Sequence, residues 1–477
     1  MLDGAIVCQS RRWGKPVDVW PGPIREESGA AAGARTRPRG PRQLFPGHAP
    51  SRGYLPPAVR LLHVSDLHLG RSLGDLSRER EQRAVVAEII AAVAEHEVAL
   101  TVVSGDVFEA FTPPAWAEDL FFELLDGLAA GGRRAVAVIA GNHDSGVRLA
   151  AAEPLARRLG ILLAGDVGDP LRGHDVGGDA VRVVPLAPQV ARVEVPGAGA
   201  PIVVGLLPFL SEARVAREVQ GGGLADGSGD AERYAERLAG EIAARAAHRD
   251  PTAVNVLLLH QFVTGGAPSD SERRLRLGAL SDLDAAAIPA GLDYVALGHL
   301  HRPQAVAGAG STAVYAGSPI AYSFSEAGQE KRAVLVDAAP GRPAVLRDVP
   351  LRGGRPLEIW EVSSIEEAQA RAALPRAVSP IVEVRADLGR TLAAADGDAL
   401  FALPGATVLA VRDLFDPHPS ELAARSGDEL PEVRVEQLFS ELWQKKHGEA
   451  PDDATLDELR SAILALGREA EAEGGPG

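Results

Sequence analysis

Val59-Arg60-Leu61-Leu62-His63-Val64-Ser65-Asp66-Leu67-His68 is a short apolar run that ends in two residue types able to hold a metal. A nearly continuous apolar run of this length suits a strand buried on both faces. The same pattern recurs along the chain. Leu100-Thr101-Val102-Val103-Ser104 leads into Gly105-Asp106, and Ala135-Val136-Ala137-Val138-Ile139 precedes Gly141-Asn142-His143-Asp144. Val254–Leu259 delivers His260, and Asp293–Leu297 delivers Gly298-His299-Leu300-His301. Carboxylate, amide and imidazole groups, each just past a strand end, describe a two-metal hydrolase site.

Helical patterns alternate with these strands. Glu79–Glu95 carries apolar residues at Val85, Val86, Ile89, Ile90 and Val93, as an amphipathic helix does. Pro113-Pro114 opens a second helix through Leu120, Phe121, Leu124, Leu125 and Leu128, and Gly131-Gly132 stops it. Strands alternating with helices predict an α/β fold with helices on the faces of a sheet. Residues 160–200 read as short strands and turns, Ile202–Leu207 as a strand and 220–230 as a mobile loop. A helix is expected over Ala231–Arg249. Val314–Pro319 and Arg332–Val336 are expected as two more strands.

Residues 1–57 lack apolar periodicity and are expected to be a disordered extension, or the product of a start codon assigned too far upstream. The Pro/Gly/Arg-rich stretch 340–356 reads as a linker, which divides a domain at 58–349 from a smaller α/β unit at 350–425. That unit reads as strand Leu357–Val362, a helix from Ile365, and strands Ile381–Val384 and Thr407–Val411. Residues 416–428 read as a second linker. The remainder, 426–477, carries helical patterns at Val435–Lys446 and Leu456–Glu473. Phe439, Leu442 and Trp443 form an apolar stripe suited to a partner helix.

The chain has 477 residues, a net charge of −16 and a pI near 5.3. This charge counts against nucleic-acid binding through the whole surface, though not against a local site where cations offset it. Cys8 is the single cysteine, which excludes an internal disulfide framework and fits a reducing cytoplasm. No apolar run is long enough for a membrane span, and no apolar segment follows Arg11-Arg12 to make a secretory signal. Lysine occurs at 15, 331, 445 and 446, so nearly all positive charge is arginine.

Metal-assisted phosphoester hydrolysis needs two cations about 3.5–4 Å apart and a carboxylate to bridge them. Asp66 and His68 can aim at one metal from a turn, and Asp106 is the natural bridge. Asn142 offers a neutral carbonyl oxygen, and His260, His299 and His301 complete two mixed N/O shells. Such shells suit Mn²⁺, Fe²⁺ or Zn²⁺ better than an all-oxygen Mg²⁺ cage. His143 is left to meet the phosphate or protonate the leaving oxygen. His63 reads as a hydrogen-bonded core histidine. His96, His174 and His248 read as surface residues, and so do His48, His418 and His447. Asp144 is expected to orient His143. Arg78, Arg80 and Arg83, with Arg273, Arg274 and Arg276, are candidates to track phosphates, against the reading of solvated faces.

The series resembles the calcineurin-like metallophosphoesterases. Ser65–Arg71, Ser104–Phe108, Gly141–Ser145, Leu297–His301 and Gly317-Ser318-Pro319 resemble in particular a bacterial nuclease branch that works with a coiled-coil ATPase. The resemblance implies a β-sandwich core flanked by helices, a small α/β cap over a DNA cleft and C-terminal partner-binding helices. It implies two manganese ions, one held by Asp66, His68, Asp106 and His301, the other by Asp106, Asn142, His260 and His299. His143 would act on the phosphate. It further implies exonuclease action on duplex ends, endonuclease action at hairpins, and a homodimer within a heterotetramer. Leu67 replaces a Trp common in relatives. Glu109 stands where archaeal and eukaryotic relatives carry a second catalytic histidine. Two other readings stay open: a phosphomonoesterase or cyclic-nucleotide phosphodiesterase of the same superfamily, and a non-catalytic scaffold.

Overall fold

A computed structural model describes residues 58–175, 177–211, 230–270 and 283–415, together with Val215, Glu272 and Leu456. The expectations for 1–57 with His48, for the loop at 220–230 up to residue 229, for Arg273, Arg274 and Arg276, for the linker at 416–428 with His418, and for the helical patterns at Val435–Lys446 and Leu456–Glu473 with His447 and the stripe at Phe439–Trp443, Leu456 excepted, lie outside these residues.

Two large sheets form the core. The first runs in the order β15 (Val345–Pro350), β14 (Arg332–Ala338), β1 (Val59–Val64), β4 (Leu100–Ser104), β5 (Ala135–Ile139) and β6 (Ile161–Ala164). The second runs β12 (Gln304–Ala305), β13 (Ala313–Tyr315), β11 (Tyr294–Gly298), β10 (Val254–His260), β9 (Ile202–Leu207), β8 (Val190–Glu194) and β7 (Arg182–Ala187). The central strands pair in parallel, β1 with β4, β4 with β5, β9 with β10 and β10 with β11. Their side chains are almost wholly buried, as the unbroken apolar runs require.

The sheets face one another. His63 Nδ1 on β1 lies 2.9 Å from the hydroxyl of Tyr294 on β11, and Ser104 Oγ on β4 donates to Ala296 O on β11 at 3.1 Å. Polar groups between two sheets are costly unless paired; His63 Nδ1 and the Tyr294 and Ser104 hydroxyls are paired, while His63 Nε2 is buried without a hydrogen-bond partner. The outer face of the first sheet is covered by α1 (Glu79–Glu95) and α2 (Ala115–Ala129). Val85, Val86, Ile89 and Val93 of α1 share a core with Leu120, Phe121, Leu124 and Leu128 of α2. Ala130 adopts a left-handed conformation (φ 50°) that ends α2. The second sheet packs Leu207, Leu257, Leu259 and Leu297 under a helix at Asp230–Ala246, through Leu238 and Ile242.

A third, three-stranded parallel sheet follows: β16 (Leu357–Val362), β17 (Ile381–Ala386) and β18 (Thr407–Asp413). It has its own core of Trp360, Val382, Val384 and Leu400. A short hairpin of β2 (Ser72–Leu73) and β3 (Leu76–Ser77) packs Leu73 and Leu76 against Leu357, Ile381 and Leu409.

Three sequence expectations need correction. Residues 340–356 are not a free linker. Val345–Pro350 is an antiparallel edge strand on β14, held by Arg347–Asp337 (2.6 Å) and Arg332–Asp348 (2.5 Å). Its charged, exposed side chains imitate a linker because one flank faces solvent. The strand expected over Val314–Pro319 stops at Tyr315. A helix at Ala394–Phe401 is not foreseen, because Asp396, Gly397 and Asp398 weaken its pattern. The parallel pairing of β17 with β18 demands a crossover there.

Candidate metal centre

All seven expected ligands and His143 gather where the C-terminal ends of β1, β4, β5, β10 and β11 meet. The turns that carry them are distorted. Asp66 (φ 53°), His68 (φ 45°), Asp106 (φ 49°) and His299 (φ 107°) are four of the seven non-glycine residues with positive φ among the described residues. Such conformations cost about 1–3 kcal/mol each and persist only where surrounding structure imposes them. Here backbone hydrogen bonds do so. Asp66 N donates to Gly105 O (3.0 Å) and His68 N to Asp106 O (2.9 Å).

The glycines that precede the ligands have a steric cause. A Cβ on Gly298 would lie 1.8 Å from Ser104 O, and one on Gly141 would lie 2.1 Å from Asp106 Oδ1. At Gly298 the two sheets, and at Gly141 two neighbouring turns of the first sheet, approach too closely for any side chain.

The ligand atoms fall into two groups. Asn142 Oδ1 lies 3.0 Å from His260 Nε2 and 2.9 Å from His299 Nδ1. His68 Nε2 lies 3.0 Å from His301 Nε2. Donors about 2.1 Å from one cation and at right angles to each other sit about 3 Å apart, so these spacings fit first coordination spheres. Asp66, His68 and His301 form one compact set of possible ligand atoms, Asp66, Asp106 and His260 another, and His68, Asp106 and His143 a third. Asp66 Oδ1 accepts from His299 N (3.0 Å), while its Oδ2 is buried with no hydrogen-bond donor. A bare buried carboxylate oxygen is expensive, and a cation would satisfy it.

Asp106 stands between the groups. Its Oδ2 is 3.6 Å from His68 Nε2, and its Oδ1 is 3.5 Å from His260 Nε2. Burial would raise its pKa, but His260, His68 and His143 hold it well below the ordinary carboxylate range. Burial pushes Asp66 up to about 6. Burial also lowers His68 and His299 to about 3, which keeps both rings as neutral lone-pair donors. At His260 burial acts downward, but Asp106 prevails and raises it to about 9. His260 Nδ1 is fixed on Ser104 O at 2.8 Å, which aims Nε2 at the site.

His143 Nδ1 is 2.9 Å from Glu109 O, and its Nε2 is 3.9 Å from Asp106 Oδ2. Asp144 does not orient His143. Its carboxylate accepts from Val107 N, Phe108 N and Gly141 N and so ties the Asp106 turn to the Asn142 turn. Burial raises it to about 7. The sequence singles out position 109 through the resemblance but misses what Glu109 does in the site. Its Oε2 comes within 2.8 Å of His68 Nδ1, off the line of an ideal hydrogen bond, and within 3.3 Å of Arg71 Nη1. Tyr322 is missed as well. Its ring lies 5.4 Å from that of His68, and its hydroxyl bonds Leu67 O and Gln82 Nε2. The sequence offers a hint for Glu109, three residues past the Asp106 ligand, but none for Tyr322.

The candidate phosphate-tracking arginines divide. Arg78 is buried and grips Glu81 through two hydrogen bonds of 2.7 Å, with a third to Ala321 O, so it is structural. Arg83 pairs with Glu79 and covers Trp116. His63 is a paired core histidine, as expected.

Comparison with known proteins matches residues 59–303 to the calcineurin-like phosphoesterase family. SbcD of the nuclease SbcCD from Bacillus subtilis (strain 168) is 34% identical over 420 residues, spanning 87% of this chain and 99% of that protein. The SbcD proteins of Rhodobacter capsulatus and Escherichia coli K12 are 32% and 27% identical. Each alignment spans 80% of this chain and, respectively, 94% and 92% of the relative.

Proposed function

We propose that this chain, which belongs to the calcineurin-like phosphoesterase family and within it to the SbcD nucleases, cleaves DNA phosphodiesters at a two-metal centre. The observation that carries the reading is Asp106, whose two carboxylate oxygens face two different ligand groups. Asp66, His68 and His301 would complete one shell with it, and Asn142, His260 and His299 the other. The mix of imidazole, amide and carboxylate donors favours Mn²⁺. Bound cations would lower the pKa of a water and offset charge on the phosphate.

The chain supplies the rest. Asp106 holds the two shells in register. His143 presents Nε2 toward the same space, because Nδ1–H donates to Glu109 O, and from there, once protonated at Nε2 to the imidazolium, it would give that proton to the leaving ester oxygen. The burial of every ligand side chain excludes bulk water and strengthens these charges.

By analogy with its relatives the chain would act on duplex ends as an exonuclease and on hairpins as an endonuclease. It would work with an SbcC-like ATPase bearing a coiled coil, as a homodimer within a heterotetramer in the cytoplasm. Residues 350–425 would cap the DNA cleft, and 426–477 would bind the partner. No helix among the described residues is long and apolar enough to cross a membrane.

The test uses purified protein with Mn²⁺ on duplex and hairpin DNA, with and without the ATPase and ATP. Duplex degradation that Asp106→Ala abolishes is expected. Turnover of p-nitrophenyl phosphate without DNA cleavage would favour a phosphomonoesterase. Inertness toward both, with the ATPase still bound, would favour a scaffold.

A further inference from the structure

A buried charge pair lies behind His301, on the side of its ring away from the other ligands. Lys331 and Glu326 are 8% and 1% exposed, and they are ion-paired. Lys331 is unusual in this chain, because Lys15, Lys445 and Lys446 are the only other lysines in a total of 49 basic residues. Lys331 Nζ donates to Glu326 Oε2, to Ser318 Oγ (3.0 Å) and to the carbonyl of His301 (3.1 Å). A compact ammonium can serve three converging acceptors, while a planar fork on a longer stem cannot.

The contacts enclose His301 from three sides. Its carbonyl also accepts from Ser318 N at 3.2 Å. Its N–H donates to Glu272 Oε1 at 2.7 Å. Its ring Nδ1 lies 3.6 Å from Glu326 Oε1, which leaves Nε2 facing His68 at 3.0 Å. The Gly317-Ser318-Pro319 stretch, which the metal shells leave without a role, falls into place here. A Cβ on Gly317 would lie 2.7 Å from His301 O.

We propose that Lys331, Glu326 and Ser318 form a clamp that sets the orientation of His301 as a ligand, with Glu326 fixing the ring and Lys331 and Ser318 fixing the backbone. They are positioning residues for one of the two cation subsites. A carboxylate behind a ligating histidine fixes its tautomer, and its loss commonly weakens metal binding 10–100-fold. The clamp rests on the metal-centre reading above. Its rival is an ordinary core ion pair with no influence on the ligand. Replacing an ordinary pair by apolar residues changes folding stability alone, whereas removing a clamp also weakens Mn²⁺ binding at one subsite, and this separates the two ideas.

The experiment titrates full-length, metal-free protein with Mn²⁺, follows free Mn²⁺ by electron paramagnetic resonance, and records Tm in chelator. The proteins are the wild type, Lys331→Arg, Glu326→Gln and the double variant Lys331→Met with Glu326→Leu. The wild type is expected to bind two Mn²⁺. Lys331→Arg and the double variant should weaken one of them about 10–100-fold and leave the other within about threefold. Glu326→Gln, which keeps shape and one acceptor, should fall between. The metal-free double variant should lose some Tm, because Tyr322 N and Ser318 Oγ lose an acceptor on Glu326, while its weakened Mn²⁺ binding stays confined to one subsite. Wild-type affinities at both subsites in Lys331→Arg and in the double variant overturn the clamp and leave the metal centre intact. Equal weakening of both subsites with a lowered Tm overturns it too, as general loosening. A wild type that binds no Mn²⁺ removes the metal centre and the clamp together.

Discussion

The meeting point of the two large sheets and the three-stranded sheet at 357–413 contrast in how they spend polar groups and backbone geometry. At the meeting point, four non-glycine residues hold positive φ and the Asp66 carboxylate has an oxygen with no donor. In the smaller sheet, positive φ occurs at Gly389 and Gly405, and no buried side-chain polar atom among the described residues lacks a partner. Its one buried carboxylate, Glu383, is answered by Arg385 (2.8 Å) and Arg412 (3.1 Å). Local rules are broken where chemistry is done and obeyed where shape is supplied. The first region is built to bind something the chain lacks. The second is complete in itself.

The contrast can be broken by substitution. Asp106→Ala should cause the largest loss, more than about a thousandfold in Mn²⁺-dependent cleavage of duplex DNA, because on the proposed reading Asp106 bridges both shells. A rate within tenfold of wild type would end the two-metal account. His143→Ala should lower turnover by about 10²–10⁴-fold while Mn²⁺ titration still shows two bound ions, if His143 acts on the phosphate as proposed and is not itself a ligand. Loss of an ion in that variant would make His143 a ligand. Glu109→Ala should weaken Mn²⁺ binding about 10–100-fold through His68, with Glu109→Gln closer to wild type. Arg355→Ala probes the other region. Arg355 spans Ser379 O, Pro380 O and Thr407 Oγ1, and its N–H meets Glu81. Its loss should cost about 1–2 kcal/mol in denaturant unfolding and leave Mn²⁺ affinity unchanged. A shift in that affinity would show that the smaller sheet steers the site.

Much of this is legible in the sequence, for a physical reason. Strands buried on both faces must be apolar throughout, so β1, β4, β5 and β10 announce themselves, and a ligand placed directly after such a run inherits a defined address. Glycines before ligands are equally readable, because the close approach of sheets and turns allows nothing larger. What stays hidden depends on non-local partners. The sequence suggests Asp144 as the support of His143, yet it binds three backbone amides that only the folded turns bring together. Glu326 sits 25 residues past His301 with no pattern to flag it. β15 is hidden because an edge strand with one wet flank carries the same residues as a linker.

Every strand that delivers a ligand does so at one end of the sandwich. The turn at Ala339–Arg342, beyond the last residue of β14, lies at the other end, beside Val59, where β1 begins. The molecule therefore has a working end and an idle end, separated by the length of its strands. Affinity handles or fluorophores grafted into that turn would sit the length of a strand away from the ligands. Even a single-residue insertion in the turns at Ser65–His68 or Gly105–Asp106 would pull ligands out of reach. Natural variation in loop length should follow the same polarity.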